Sequence, residues 1–176
     1  GGDGGGKWVK RGAKGRRGVS PKIRMLTSRF RGKSEHSLDA KGRLNFPSRF
    51  REVLRLKDSE EVVIVAPWVN HLRAYPLPEW ESLETRLLTQ GGENGISGFI
   101  RMVVGGAVEC PIDKQGRILL PPDLRGDLQM GKDITVTGML DWVEIWDREA
   151  WLAEAAATRE NFGSHIASLS KMGIIS

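Results

Sequence analysis

The sequence contains a single cysteine, a single tyrosine and only three histidines. Cys110 has no internal disulfide partner, which is typical of a protein that stays in a reducing cytoplasm. The histidines do not stand at metal-ligand spacing with Cys110, so the sequence predicts no metal site. The longest apolar runs, such as VVIVA at 62–66, are too short to cross a bilayer, and no signal-peptide core is recognisable.

Positive charge is concentrated at one end of the chain. The 176 residues include 27 Lys and Arg, 22 Asp and Glu, and a formal net charge of +5. Residues 1–31 hold ten of the basic residues and one acid, which leaves 17 basic and 21 acidic residues in 32–176. General electrostatic attraction to nucleic acid is therefore not predicted for the folded part, and any DNA binding must depend on local charge.

Residues 1–28 are rich in Gly, Lys and Arg and nearly lack apolar side chains. This composition predicts a basic disordered tail, which would add non-specific affinity for phosphates. Its opening GGDGGGKW is similar to a phosphate-binding loop, but Trp8 replaces the hydroxyl residue that such a loop needs. No cofactor is predicted.

An internal repeat with an offset of 74 is the most informative feature. LDAKGRLNFPSRFREVL begins at Leu38 and IDKQGRILLPPDLRGDL begins at Ile112. The identical pairs are Asp39/Asp113, Gly42/Gly116, Arg43/Arg117, Pro47/Pro121, Arg51/Arg125 and Leu54/Leu128. Each copy predicts a strand, a turn, a short strand and a helix that begins after proline, and two strands and a second helix follow. The sequence therefore predicts a tandem β-β-α-β-β-α architecture.

The predicted units divide the chain as follows. A first repeat occupies 29–90, a connecting helix 91–104, a second repeat 105–157 and a C-terminal helix 158–176. The helix over 78–89 is predicted to face inward with Trp80, Leu83, Leu87 and Leu88, and Trp146 and Trp151 are predicted to pack in the core. The Asp147 carboxylate is predicted to cap a helix. Cys110 and His36 occupy equivalent strands, but no orienting third residue accompanies them, so an enzyme is not predicted.

Turn chemistry accounts for most of the repeated residues. Aspartate accepts hydrogen bonds from the amides of a turn, glycine supplies a positive φ, and proline starts the following helix. The same chemistry does not require Arg43 and Arg117. An ion pair with the turn aspartate and contact with a ligand are two interpretations that the residue types leave open.

The doubled D-x-x-x-R motif, Asp39–Arg43 and Asp113–Arg117, resembles the MraZ family from about residue 29 to the C-terminus. The resemblance implies an α+β fold, in which two AbrB-like units interleave into a swapped-hairpin barrel with peripheral helices. It further implies a ring-shaped homo-oligomer that binds double-stranded DNA at repeated promoter elements. Such a protein is expected in the cytoplasm, on the nucleoid, as a regulator and expected repressor of the division and cell-wall gene cluster.

The resemblance also implies which side chains approach DNA. Arg43 is the leading expected contact, with Lys41 beside it. The other expected DNA contacts are Arg31, Lys33, Arg49 and Arg117. Residues 39–55 contain five basic and two acidic side chains, whereas 113–129 contain three of each. This difference supports the hypothesis that the first copy leads in DNA contact and that the second mainly completes the barrel and the ring.

Two alternatives of another class remain open. AbrB-like units also occur in antitoxins that bind a protein partner, and fold alone does not determine function. Such antitoxins usually have one unit and a disordered C-terminus, whereas a second unit occupies that region here. The other alternative is a structural ring without a DNA role, which the acidic balance of residues 32–176 favours.

Overall fold

The computed structural model describes residues 28–57, 59–91 and 95–176, together with Gly18 and Ser20. The tail predicted at 1–28 therefore lies outside the described residues, apart from Gly18, Ser20 and Ser28. Within the described stretches, no helix is long and apolar enough to cross a membrane.

Both repeats contain the predicted order of elements, which confirms the α+β fold class. The first comprises β1 (Lys33–Ser37), β2 (Arg43–Asn45), α1 (Ser48–Leu56), β3 (Val62–Pro67), β4 (Leu72–Pro76) and α2 (Leu77–Gln90). A short helix α3 (Ser97–Phe99) follows and continues as a π-helical turn, Ile100–Val104. The second comprises β5 (Val108–Pro111), β6 (Arg117–Leu119), α4 (Pro122–Asp127), β7 (Asp133–Met139), β8 (Trp142–Asp147) and α5 (Arg148–Glu160). The last helix is α6 (Phe162–Lys171).

Local chemistry explains where these helices begin. Pro47 and Pro121 precede α1 and α4, where a fixed φ and a missing N–H are compatible with the first turn. The Asp147 carboxylate accepts a hydrogen bond from the Ala150 N–H at 3.4 Å, as predicted for the start of α5. α5 continues to Glu160, past the end expected for the second repeat at 157, and Asn161 alone separates it from α6.

The two repeats exchange strands. The six-stranded antiparallel sheet has the order β1-β7-β8-β4-β3-β5, so the first strand of each repeat pairs with a strand of the other. β4 and β8 form the central seam, where Arg73 pairs with Glu144 in register. β2 and β6 form a separate antiparallel ribbon. The expected interleaving is confirmed.

The expected barrel is not a closed hydrogen-bonded cylinder. β1 and β5 are the two ends of the sheet and do not pair with each other. β2 takes its partners from β6 rather than from β1. The β2–β6 ribbon therefore covers the core as a second layer.

Apolar side chains fill two clusters, one on each face of the sheet. The larger cluster contains Leu44, Phe50, Val65, Ile118 and Val136, and the smaller contains Ile64, Tyr75, Trp80 and Val103. Trp146 is buried, and the half-buried Trp151 meets it edge-on with ring centroids 5.8 Å apart.

The prediction that Leu88 faces inward is wrong, since its side chain is 83% exposed. Trp80, Leu83 and Leu87 follow helical spacing along one side of α2. Leu88 stands about 100° farther around the helix than Leu87, which takes it out of the apolar stripe.

Candidate nucleic-acid interface

The first D-x-x-x-R motif forms a tight turn between β1 and β2. The Asp39 Oδ1 atom accepts hydrogen bonds from the amides of Lys41 and Arg43, both at 2.9 Å. Gly42 adopts a φ of 80°, in the left-handed region that favours glycine. The aspartate and the glycine therefore stabilise the backbone conformation of the turn.

The second motif repeats this geometry before β6. Asp113 Oδ1 accepts hydrogen bonds from the amides of Gln115 and Arg117 at 2.9 Å, and Gly116 has a φ of 80°. The two turns are thus structural copies that differ in their exposed side chains.

Each arginine also forms an ion pair with its own turn aspartate. Arg43 Nε lies 2.5 Å from Asp39 Oδ2, and Arg117 Nε lies 3.0 Å from Asp113 Oδ2. These contacts use the inner nitrogen of each guanidinium group. The ion pair is therefore geometrically compatible with contact between the terminal nitrogens and a ligand, and the two interpretations do not exclude each other.

The β2–β6 ribbon places both motifs on one surface. Leu44 and Ile118 point into the core with no exposed area, so the residues that alternate with them point outward. Across the ribbon, Arg43 is opposite Leu119, and Asn45 is opposite Arg117. We call the outward surface the two-loop face; it consists of Lys41, Arg43, Asn45, Lys114, Arg117 and Leu119.

The two arginines of this face differ in how firmly they are held. The Arg117 Nη2 atom donates a hydrogen bond to Gln115 Oε1, and Nη1 lies 3.9 Å from Asp39 Oδ2. At the position equivalent to Gln115, Lys41 has no acceptor and cannot form such a bond with Arg43. The Arg43 side chain is also more exposed, at 31% against 24% for Arg117. Arg43 is therefore the less constrained of the two.

Each turn is supported by an arginine of the other repeat. Gly42 lies against the Arg125 guanidinium, and a Cβ built on Gly42 would be 2.5 Å from Nη2. Gly116 lies in the same way against Arg51, at 2.5 Å from Nη1. The Arg125 Nε atom also donates to the Leu120 carbonyl oxygen at 3.3 Å. Helices α1 and α4 thus contact the turns of each other's repeat. The two glycines supply the positive φ and allow this close approach of the guanidinium groups.

Hydrogen bonding sets the charge of the turn carboxylates. The Arg43 amide, more than any other group, holds the pKa of Asp39 below its usual range. Desolvation acts in the opposite direction and is the second-largest effect, and the Arg43 guanidinium and the Lys41 amide lower the pKa further. The pKa of Asp113 is lowered in the same way by the amide and guanidinium of Arg117. Both aspartates are therefore ionised at neutral pH, and the turns keep their ion pairs.

The other basic residues expected to contact DNA lie elsewhere. Arg31 and Arg49 line a cleft of about 300 Å³ beside α1. The Arg49 guanidinium packs against Gly32 and lies 5.1 Å from the centre of the Phe50 ring. Lys33 is in β1, with Nζ 5.6 Å from the Trp151 ring. The structure therefore groups Lys41, Arg43 and Arg117, and separates them from Arg31, Lys33 and Arg49.

Sequence reasoning missed four residues of this region. Asn45, Leu119 and Lys114 are exposed on the two-loop face. Alternation was the available signal for Asn45 and Leu119, because they stand two residues after Arg43 and Arg117 in strands whose intervening residues are apolar. The supporting role of Arg125 had no sequence signal beyond its repetition as Arg51.

No metal or thiol chemistry competes with this surface in the part of the chain that the structure describes. No group of three potential metal ligands occurs there. Cys110 is 3% exposed, and burial raises the pKa of its thiol to about 11. It lies in β5 and His36 lies in β1, at opposite ends of the sheet, so they do not form a pair.

Comparison with known proteins matches both repeats. The family model described as "MraZ protein, putative antitoxin-like" matches residues 29–94 and 103–170. The transcriptional regulator MraZ of Leuconostoc citreum is 44% identical over 135 residues, which cover 76% of this chain and 91% of that protein. The proteins of the same name from Pelotomaculum thermopropionicum and Desulforapulum autotrophicum are 40% and 39% identical, over 80% of this chain and 97% and 98% of theirs.

Proposed function

The chain belongs to the MraZ family, and on that premise we propose that it binds DNA sequence-specifically through the two-loop face. Its relatives are named as transcriptional regulators, so the chain is a regulator of transcription and not an enzyme.

The convergence of both D-x-x-x-R turns on one outward surface is the observation that carries the proposal. Four cationic side chains stand there, on Lys41, Arg43, Lys114 and Arg117, against the two turn aspartates that pair with the arginines. This local excess of positive charge answers the objection that residues 32–176 are acidic overall. A two-stranded ribbon also has a suitable width for the major groove, which is about 12 Å wide.

The side chains of this face divide into two kinds of contact. The terminal nitrogens of Arg43 suit a bidentate contact with guanine O6 and N7, and the Asn45 amide suits adenine N6 and N7. Lys41 and Lys114 suit phosphates, which position a protein without reading sequence. Arg31, Lys33 and Arg49 act, in this proposal, on phosphates away from the main contact. Arg43 leads because it is less constrained than Arg117.

Several copies on repeated sites supply the affinity that one copy lacks. Each neutralised phosphate contributes only about 0.9 to the salt slope, so four cations give modest binding. In a homo-oligomeric ring, neighbouring faces would engage successive promoter repeats, and effective concentration would raise the overall affinity. We propose that the ring acts on the nucleoid in the cytoplasm as a repressor of the division and cell-wall gene cluster.

The test is fluorescence anisotropy with DNA from upstream of the protein's own gene, at 50 to 200 mM salt. We expect binding that is stronger for the upstream region than for a shuffled duplex of the same composition. Equal affinity for both duplexes would contradict sequence-specific binding. No measurable affinity for either, even at low salt, would favour the antitoxin-like or structural alternatives.

A further inference from the structure

The last helix, α6, has an apolar stripe that the described residues of its own chain leave uncovered. Phe162, Ile166 and Leu169 follow helical spacing, and Phe162 and Ile166 are 55% and 41% exposed. No residue of α6 is buried. An isolated helix of ten residues is only marginally stable in water, because forming its first turn is costly and each further residue stabilises it only a little. The stripe therefore needs a covering surface.

The first repeat shows how a helix in this position is covered. α3 and its π-helical turn follow α2 as α6 follows α5. Phe99 meets the Trp68 ring edge-on, with centroids 5.5 Å apart, and Val103 is 4% exposed. These two residues have the same spacing as Phe162 and Ile166. The first repeat thus packs an equivalent apolar pair against the turn between β3 and β4.

The segment before α6 is too short for the second repeat to pack this helix against its own turn. Residues 91–96 connect α2 to α3, whereas Asn161 alone connects α5 to α6. One residue does not allow α6 to fold back onto the sheet. Met139 and Leu140, at the equivalent turn between β7 and β8, consequently remain 38% and 54% exposed.

An apolar cavity of the first repeat offers a suitable surface for α6. The cavity measures about 510 Å³, and we call it the turn groove; its walls are Pro67, Trp68, Val69, Phe99, Met102 and Val103. Val69 and Met102 are 88% and 65% exposed at its rim. Burial of these apolar side chains would favour association.

We infer that α6 of one copy docks in the turn groove of a second copy of this chain. The two surfaces are different, so the contact is head to tail and repeats into a closed ring or a filament. This contact would hold the proposed homo-oligomer together. The inference rests on the proposed function only in requiring that the chain assembles with copies of itself.

The exposed turn at Leu140 is a poorer candidate for the same helix. Its backbone pairs with Phe30 on one side. Its neighbour Asp141 forms ion pairs with Arg29 at 2.6 Å and Lys57 at 3.9 Å. These charged groups would have to be partly desolvated beneath α6, whereas the walls of the turn groove are apolar.

Cysteine cross-linking tests the contact directly. The native Cys110 is buried and its thiol pKa is raised to about 11, so it should stay silent under mild oxidation. We expect a Val69→Cys/Ile166→Cys variant to form a ladder of covalent multimers on non-reducing gels. A matched Leu88→Cys/Ile166→Cys variant should not, because Leu88 is equally exposed but lies on α2.

Each cross-linking result either supports or overturns the contact. A ladder from the Val69 pair alone supports the contact. A ladder from a Leu140→Cys/Ile166→Cys variant but not from the Val69 pair would overturn it, as would cross-linking confined to monomers. A wild-type protein that is monomeric by multi-angle light scattering would also overturn it.

A second variant separates this inference from DNA binding. Phe162→Ser/Ile166→Ser alters two exposed positions and should lose assembly in light scattering, while the two repeats keep their cooperative thermal unfolding and at most the helical signal of α6 is lost. Affinity for a duplex with several repeats should fall roughly 100-fold, as expected for lost avidity, with less change for a single repeat. An unchanged oligomer in this variant overturns the contact. If assembly is lost and the wild type shows no DNA binding, the contact stands and the proposed function fails.

Discussion

Arg117 in β6 places its Nη1 atom 3.9 Å from Oδ2 of Asp39, which belongs to the turn of the other repeat. The same oxygen accepts a hydrogen bond from Arg43 Nε at 2.5 Å. One carboxylate therefore lies between two guanidinium groups that would otherwise repel each other. The two turns thus act as one surface, although their sequences lie far apart in the chain.

Replacing either arginine should have different consequences. Arg43→Ala should reduce affinity for a duplex with one operator repeat about 5- to 150-fold, the range for loss of one bidentate base contact, with little change in melting temperature. Arg117→Ala should cost less affinity and more stability, because Arg117 is bonded to Asp113 and Gln115. Anisotropy and calorimetry on both variants provide the comparison. Equal affinity losses with equal stability would refute the leading role of Arg43.

Arg43→Lys is the matched control for charge. Lysine keeps the positive charge but lacks the planar fork that makes a bidentate contact. Affinity for a shuffled duplex should therefore be retained while preference for the operator falls. If Arg43→Lys keeps full preference, Arg43 contributes charge rather than readout.

The turn glycines should not tolerate alanine. Gly42→Ala places a non-glycine residue at a φ of 80° and displaces the Arg125 guanidinium, so we expect a loss of about 1–2 kcal/mol and weaker DNA binding. Gly126→Ala in α4 is the control, since its Cβ meets no atom within 4 Å. That change should stabilise the protein by about 0.5–1 kcal/mol. A neutral Gly42→Ala would show that the turn adapts without the support of Arg125.

Acid should act on the two turn aspartates. Because their folded pKa values are lowered, their contribution to stability is present above the unfolded value of about 3.9 and is lost as pH falls through the folded values. An Asp39→Asn/Asp113→Asn variant should therefore show a flatter fall in melting temperature as the pH is lowered below about 4. Parallel curves for variant and wild type would indicate that other carboxylates govern acid unfolding.

The seam between the repeats holds a buried polar cluster that should matter for stability. Glu144 accepts a hydrogen bond from Trp146 Nε1 at 3.0 Å and lies 3.2 Å from His71 Nε2. Burial raises the pKa of Glu144, but the His71 bond and charge, the Trp146 bond and the Arg73 charge together lower it below its usual value. Glu144→Gln should therefore cost about 1–3 kcal/mol in denaturant unfolding.

Glu109→Gln is the control for this change, because Glu109 is an exposed residue of β5. Its effect should stay within about 0.5 kcal/mol, as for most surface changes. The stabilisation by Glu144 should disappear as pH falls through its lowered pKa, so the two variants should converge in acid. An equal loss from both variants at neutral pH would show that the seam cluster contributes nothing specific.

The sequence by itself determined the repeat, its elements and its turns. Aspartate, glycine and proline act through hydrogen bonds and φ preferences within a few residues, so their spacing predicted both turns and the helices that follow. Hydrophobic periodicity placed Trp80 in the core, and failed for Leu88 because it identifies an apolar face without showing how wide the covering surface is.

Only the tertiary structure decided which strands pair and which side chains meet. Sequence spacing gave no sign that Arg125 supports Gly42 or that Arg117 reaches Asp39, because these contacts join the two repeats across an exchanged ribbon. Strand pairing over long sequence separations depends on packing of the whole core rather than on local preference. The two-loop face and the open sheet follow from that exchange. The uncovered stripe of α6 follows from the single residue, Asn161, that connects it to α5.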